Sequence, residues 1–252
     1  RARIDSNSRI SLSNNDSGTD NTVFGMFAGS ALASGGNDNT IIGDNAATGL
    51  VTGINNVAIG SGAFDAAAGS HADNGEDSNV AIGKDAMGAV NAGSHQDARV
   101  YANIAIGDST LFGGSYGSSD LNLDYNIAIG TGALNSTGSA AHNSTIAIGT
   151  SAGTAINHVD SSGSVLVGHE AGAALTSGGG NVAIGYQAGD ALTTGARNLA
   201  IGYTAFSTSI NSSGDNIAIG YSAMNGSGTS AASEKNIAIG NYTMNGNQND
   251  SD

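Results

Sequence analysis

The chain has 252 residues and a formal net charge of −14, with forty glycines, no proline and no cysteine. The missing cysteines exclude disulfides, and the acidic balance disfavours nucleic acid and anionic membrane surfaces as partners. Nothing approaches the ~20 consecutive apolar residues of a membrane-spanning helix, so no membrane insertion is expected.

Residues 1–20 read as a connecting segment. It opens at Arg1-Ala2-Arg3-Ile4 with neither an initiator Met nor a signal peptide, so the chain is expected to be a segment excised from a longer protein. From residue 21 one phrase takes over, Asn-(Val/Ile)-Ala-Ile-Gly followed three residues later by Ala. It occurs twelve times, on Gly25, Gly43, Gly60, Gly83, Gly107, Gly130, Gly149, Gly168, Gly185, Gly202, Gly220 and Gly240. A period near 20 residues means that each copy is one coil stacked on its neighbours. The expected fold is therefore all-β: a parallel β-roll, or β-solenoid, of about twelve coils over residues 21–246. A polar tail or linker follows at 247–252. Glycine without proline fits this fold, because a stacked ladder uses every backbone N–H.

Within a coil, the residue four before the glycine is Asn in ten copies, from Asn21, Asn39 and Asn56 to Asn216 and Asn236, with Thr145 and Ser164 as substitutes. Stacked side chains of this kind can hydrogen-bond from one coil to the next. The next three residues should form a short strand whose outer two side chains share one face. The glycine permits a tight bend. A second strand is then expected, with one large apolar anchor per coil: Phe64, Met87, Leu111, Leu134, Phe206, Met224 and Met244, or, three residues further on, Leu32, Ile156, Leu175 and Leu192. At ~4.8 Å per coil, twelve coils make a rod of roughly 55–60 Å.

The middle residue of the first strand should point away from that thin core. It is nevertheless apolar: Ala58, Ala81, Ala105, Ala128, Ala147, Leu166, Ala183, Ala200, Ala218 and Ala238, with Val23 and Ile41 in the first two coils. A strand apolar on both faces is buried on both. These residues are expected to form an oligomer interface, in a homotrimer about the rod axis.

The Asn-Val-Ala-Ile-Gly coils resemble the head repeats of trimeric autotransporter adhesins, although those repeats are shorter and more regular. The opening Arg1-Ala2-Arg3-Ile4-Asp5-Ser6-Asn7-Ser8-Arg9-Ile10 is similar to a segment common in phage tail fibres, with Ser8 where glycine is usual. Asn181-Val182-Ala183-Ile184-Gly185-Tyr186-Gln187-Ala188-Gly189 likewise resembles coils of such fibres. The resemblance implies a left-handed, trimeric roll in an extracellular fibre, on a virion tail or a cell surface. Its partner would be a cell-surface glycan or protein receptor. The alternatives are a bacterial trimeric adhesin head and the structural subunit of a self-assembling filament.

Candidate binding residues fall in two groups. Tyr186, Tyr203 and Tyr221 follow the glycines of successive coils and should stack as a ladder. Exposed aromatic rows can bind sugars, because ring face and hydroxyl edge match a pyranose; the competing reading is a ladder that merely supports the stack. The second group, His71, His95, His142, Tyr101 and Tyr125, lies in the long turns after Gly60, Gly83, Gly107 and Gly130, where loops on a rigid scaffold commonly bind. The histidines lack the local spacing of a metal site. The acidic stretches Asn14-Asn15-Asp16-Ser17-Gly18-Thr19-Asp20 and Asp73-Asn74-Gly75-Glu76-Asp77 offer oxygen ligands suited to calcium, yet fit no calcium-loop pattern. No metal site or cofactor is expected, calcium being the only ion the composition suits. No catalytic constellation is present, and an enzyme is not expected.

Overall fold

The computed structural model describes residues 2–4, 10–12, 18–66, 75–90, 99–113, 122–135, 143–207, 214–226 and 234–245. Among these residues there is no α-helix; one 3-10 turn spans Val159–Ser161. The chain divides into two compact units, Arg1–Tyr125 and Asn126–Asp252.

The first unit opens with an antiparallel pair, β1 (Ala2–Ile4) and β2 (Ile10–Leu12). It continues with β3 (Thr22–Phe24), β4 (Thr40–Ile42), β5 (Val57–Ile59), β6 (Glu76–Asp77), β7 (Val80–Ile82), β8 (Arg99–Tyr101), β9 (Ile104–Ile106) and β10 (Asn122–Asp124). Strands β3, β4, β5, β7 and β9 pair in parallel in that order, with equivalent residues side by side: Thr22, Thr40, Val57, Val80, Ile104. The second unit repeats the pattern with β11 (Ile127–Ile129), β12 (Ile146–Ile148), β13 (Val165–Val167), β14 (Val182–Ile184), β15 (Leu199–Ile201), β16 (Ile217–Ile219) and β17 (Ile237–Ile239), again parallel and in chain order. Parallel strands in strict chain order, one per repeat, define a β-solenoid.

The asparagines do what the sequence suggests. In the first unit Asn39 donates its backbone N–H and its side-chain N–H to Asn21 Oδ1 at 2.9 and 3.1 Å. Asn56 does the same to Asn39, Asn79 to Asn56 and Asn103 to Asn79. In the second unit the ladder runs from Asn181 through Asn198 and Asn216 to Asn236. The remaining amide proton of Asn39 goes to the Gly53 carbonyl, and Asn181, at the head of its ladder, donates its side-chain amide to the carbonyls of Gly178 and Gly195. Buried amides are affordable only when satisfied in this way.

The glycine column is equally constrained. A Cβ on Gly185 would fall on the carbonyl of Gly202, and one on Gly130 within 2.7 Å of the carbonyl carbon of Gly149. Both also hold φ values, 135° and 125°, that side chains avoid.

Two expectations need correction. After the glycine no second strand forms. The chain turns through alternate left-handed residues, as at Asp85 and Met87, with φ 53° and 54°. Their N–H groups reach opposite neighbours: Asp85 donates to Ser61 O of the preceding coil and Met87 to Thr110 O of the following one. The anchors still fill the core. Phe64, Met87, Leu111, Leu134, Phe206, Ile156 and Leu175 are fully buried, with Leu32, Leu192 and Met224 nearly so and Met244 half-buried.

The second correction concerns direction. Within single units Ala58, Ala81 and Ala105, and Ala128, Ala147, Leu166, Ala183, Ala200, Ala218 and Ala238, are 2 % exposed or less. The middle of each strand therefore points into the coil, and a residue buried there cannot line an interface between chains. Space is the reason. The returning turn lies so close that Leu166 packs on Gly153 and Gly172, where a Cβ would meet its methyls at 2.8 and 2.7 Å. Two columns of β-branched residues would not fit that interior, so the flanking Val and Ile face outward. Ile148 and Ile184 are 37 % and 39 % exposed, and Ile237 and Ile239 are 65 % and 64 %.

Asn198→Ala would strip Asn216 of its buried acceptor, and a loss of about 1–3 kcal/mol is expected, read as a lower urea midpoint for the second unit. Gly185→Ala should cost more, since backbone rather than side chain must move; a midpoint within error of wild type for either variant would refute the ladder argument.

Candidate functional site

The three tyrosines of the second unit stack. Tyr186 and Tyr203 have centroids 4.9 Å apart at 9° between planes, and Tyr203 and Tyr221 5.2 Å at 4°. The column extends at both ends: His169 stacks on Tyr186 at 5.1 Å and 7°, and Tyr242 meets Tyr221 edge-on at 5.1 Å. All four tyrosines remain 41–61 % exposed. In-register stacking of the coils is the cause, since it sets the same offset after each glycine at the same height. His169 follows Gly168 as Tyr186 follows Gly185, so its membership was legible in the sequence. Tyr242 lies one residue later in its coil, and its left-handed φ of 58° left no signal.

The geometry changes what the column can offer chemically. Tyr186 lies between His169 and Tyr203, and Tyr203 between Tyr186 and Tyr221. The ring faces on which a pyranose would lie are thus taken by neighbours, and edges and hydroxyls are what the solvent meets.

In the first unit the long turns build more than loops. Strands β6, β8 and β10 form a second parallel sheet, with Glu76 and Leu123 on either side of Val100. This sheet brings Tyr101 and Tyr125 together edge-to-face at 5.6 Å and sets the Arg99 guanidinium 5.5 Å from the Tyr101 centroid. Arg99 Nη2 and Nε donate to Asp124 Oδ2 at 2.7 and 2.8 Å. Burial lifts the Asp124 carboxyl above its ordinary range against the downward pull of Arg99, while the same bond raises Arg99. The two shifts point different ways for the pair; two short bonds from the guanidinium to one carboxylate oxygen argue that it is ionised, since arginine does not give up its proton. Of the acidic stretch ending at Asp77, Glu76 is buried and Asp77 accepts the Ile54 N–H at 2.8 Å. His71, His95 and His142 lie outside the described residues, as do Asn14–Ser17 and Asp73–Asn74. Among the described residues no three His, Asp or Glu side chains group to hold a metal.

A shallow depression of about 550 Å³ in the second unit is lined by Asp160, Gly178, Gly179, Gly180, Thr194 and Arg197. Arg197 is held by Asp215 at 2.7 and 3.0 Å. Beside the aromatic column, Gln187 donates to Glu170 at 2.6 Å. Asp190, with a buried and unpartnered Oδ1, is pushed up to about 6, first by burial and then by the Glu170 charge.

Compared with protein families, with curated proteins and with solved structures, the chain matches none.

Because Asp190 binds its proton more tightly folded than unfolded, its stabilising contribution is complete below about pH 4. It is lost as the pH rises through about 6. Asp190→Asn should therefore raise the urea midpoint of the second unit at pH 7 and leave it little changed at pH 4; an equal shift at both values would show that the carboxyl is not the cause.

Proposed function

We propose that the protein is part of an extracellular fibre of the phage tail-fibre type. Each of the twelve phrase copies forms one coil, and three chains assemble side by side to display a host-surface-binding region. The observation that carries this reading is the outer sheet face, paved from β5 to β9 in the first unit and throughout the second almost entirely with Val and Ile, where a lone roll would carry polar residues. A parallel sheet apolar on its outer face calls for a cover, and an identical repeating surface is best matched by copies of itself about a symmetry axis. The interface is therefore the columns flanking the buried alanines, such as Val57 and Ile59 or Ile217 and Ile219. The resemblance of the coil phrase to fibre and adhesin-head repeats supports the same assembly.

In this reading binding falls to the outgrowths of the first unit, around Arg99, Tyr101 and Tyr125. Tyr125 is 54 % exposed, and the second sheet holds the group on rigid strands instead of free loops. Three copies of a weak contact with a cell-surface glycan or protein would gain by effective concentration. A bacterial adhesin head would use the same surfaces. The filament alternative draws on β17, whose Ile237 and Ile239 are the most exposed of the outward isoleucines.

Light scattering across a concentration series is expected to give three times the chain mass, and Ile201→Asp or Ile219→Asp, on the outer face, to give monomers that keep their β signal in circular dichroism. A monomeric wild type would overturn the proposal, and open-ended polymers would favour the filament.

A further inference from the structure

The aromatic column has a property that neither support nor display requires. The chain has no cysteine, so no disulfide can tie one coil to the next. Tyrosine is the remaining side chain that readily forms a covalent bond to its own kind, and in the second unit tyrosines of consecutive coils lie in stacking contact. We propose that this column is an oxidative cross-linking site, where Tyr203 couples to Tyr186 or Tyr221 as dityrosine and staples adjacent coils.

The chemistry needs an oxidant, here hydrogen peroxide acting through a haem peroxidase. Each of two phenols loses one electron and one proton. The two phenoxyl radicals join through ortho carbons, and the ortho hydrogens then shift to the oxygens, restoring both phenols. The pair has lost two hydrogen atoms in all, and one peroxide is reduced to two waters.

Three observations favour the column. Tyr186, Tyr203 and Tyr221 are 41 %, 48 % and 42 % exposed, so a diffusible oxidant reaches them. Centroids 4.9 and 5.2 Å apart in nearly parallel planes let neighbouring rings share the positive charge of the oxidised state. Each radical also has its partner in contact, so coupling needs two neighbouring rings to swing out of the stack as the bond forms, and no diffusive encounter. Tyr101 and Tyr125 supply an internal comparison. They meet edge-on at 5.6 Å, and the Arg99 cation beside Tyr101 opposes the loss of an electron there.

The test treats the whole chain with peroxidase and hydrogen peroxide, follows dityrosine fluorescence, and maps linked peptides by mass spectrometry. Peptides carrying Tyr203 are expected to be joined to those carrying Tyr186 or Tyr221 within one chain. Each link should lower the mass by two hydrogens, with a yield per chain unchanged on dilution. Tyr203→Phe keeps the ring and the stack but should abolish every link through that position, whereas Tyr125→Phe should leave the column links intact. The proposal is overturned if no Tyr203 link forms while free tyrosine couples under the same conditions, if links form only between chains, or if Tyr203→Phe leaves the yield of column links unchanged.

Discussion

A buried amide must find partners for its oxygen and both its protons, and here it finds them in the coils before and after. That requirement organises the molecule. With Asn56 1 Å too high or low, its bonds to Asn39 and from Asn79 would both weaken, so the coils stack in register. Register in turn sets glycine over glycine, at a distance where no Cβ fits. It also sets strand over strand, and aromatic ring over aromatic ring. The ladder thus fixes position as well as contributing stability.

The departures from the phrase show how much the ladder tolerates. At Thr145 the backbone N–H still reaches Asn126 Oδ1 at 3.0 Å, although the buried threonine hydroxyl itself has no partner. At Ser164 the short side chain accepts the Asn181 N–H at 3.2 Å and donates to Ser161 O in the neighbouring 3-10 turn. The backbone link is kept from Thr145 to Asn126 and from Asn181 to Ser164, but the amide-to-amide link is lost and the Thr145 hydroxyl passes no bond on to Ser164. Strands β11, β12 and β13 pair as regularly as the rest, which places the register under the joint control of the ladder and the sheet.

Regular stacking also separates structure from opportunity. Where the coil is shortest, side chains after the glycine are brought into a single column, and His169, Tyr186, Tyr203 and Tyr221 have their faces occupied by one another. Where the coil is longest, residues 76–77, 99–101 and 122–124 add a second sheet, and the exposed Tyr125 and half-buried Tyr101 beside Arg99 keep open surface. The proposed binding region and the proposed cross-linking column follow from one scaffold with different insert lengths.

The repeat of Asn and Gly was enough to establish the solenoid, the ladder and the buried anchors, because each depends on spacing along the chain. The tyrosine column was legible for the same reason. The sequence could not say which strand face lies inside. Alternation assigns Val57 and Ile59 to one side and Ala58 to the other, but the inside is whichever side fits the space left by the returning turn. That space is set by left-handed residues such as Asp85 and Met87 and by glycines such as Gly153 and Gly172, whose effect exists only once the coil has closed. The strands β6, β8 and β10 escaped notice for a related reason: two or three residues carry no detectable alternation, and they become strands only when neighbouring coils offer them partners.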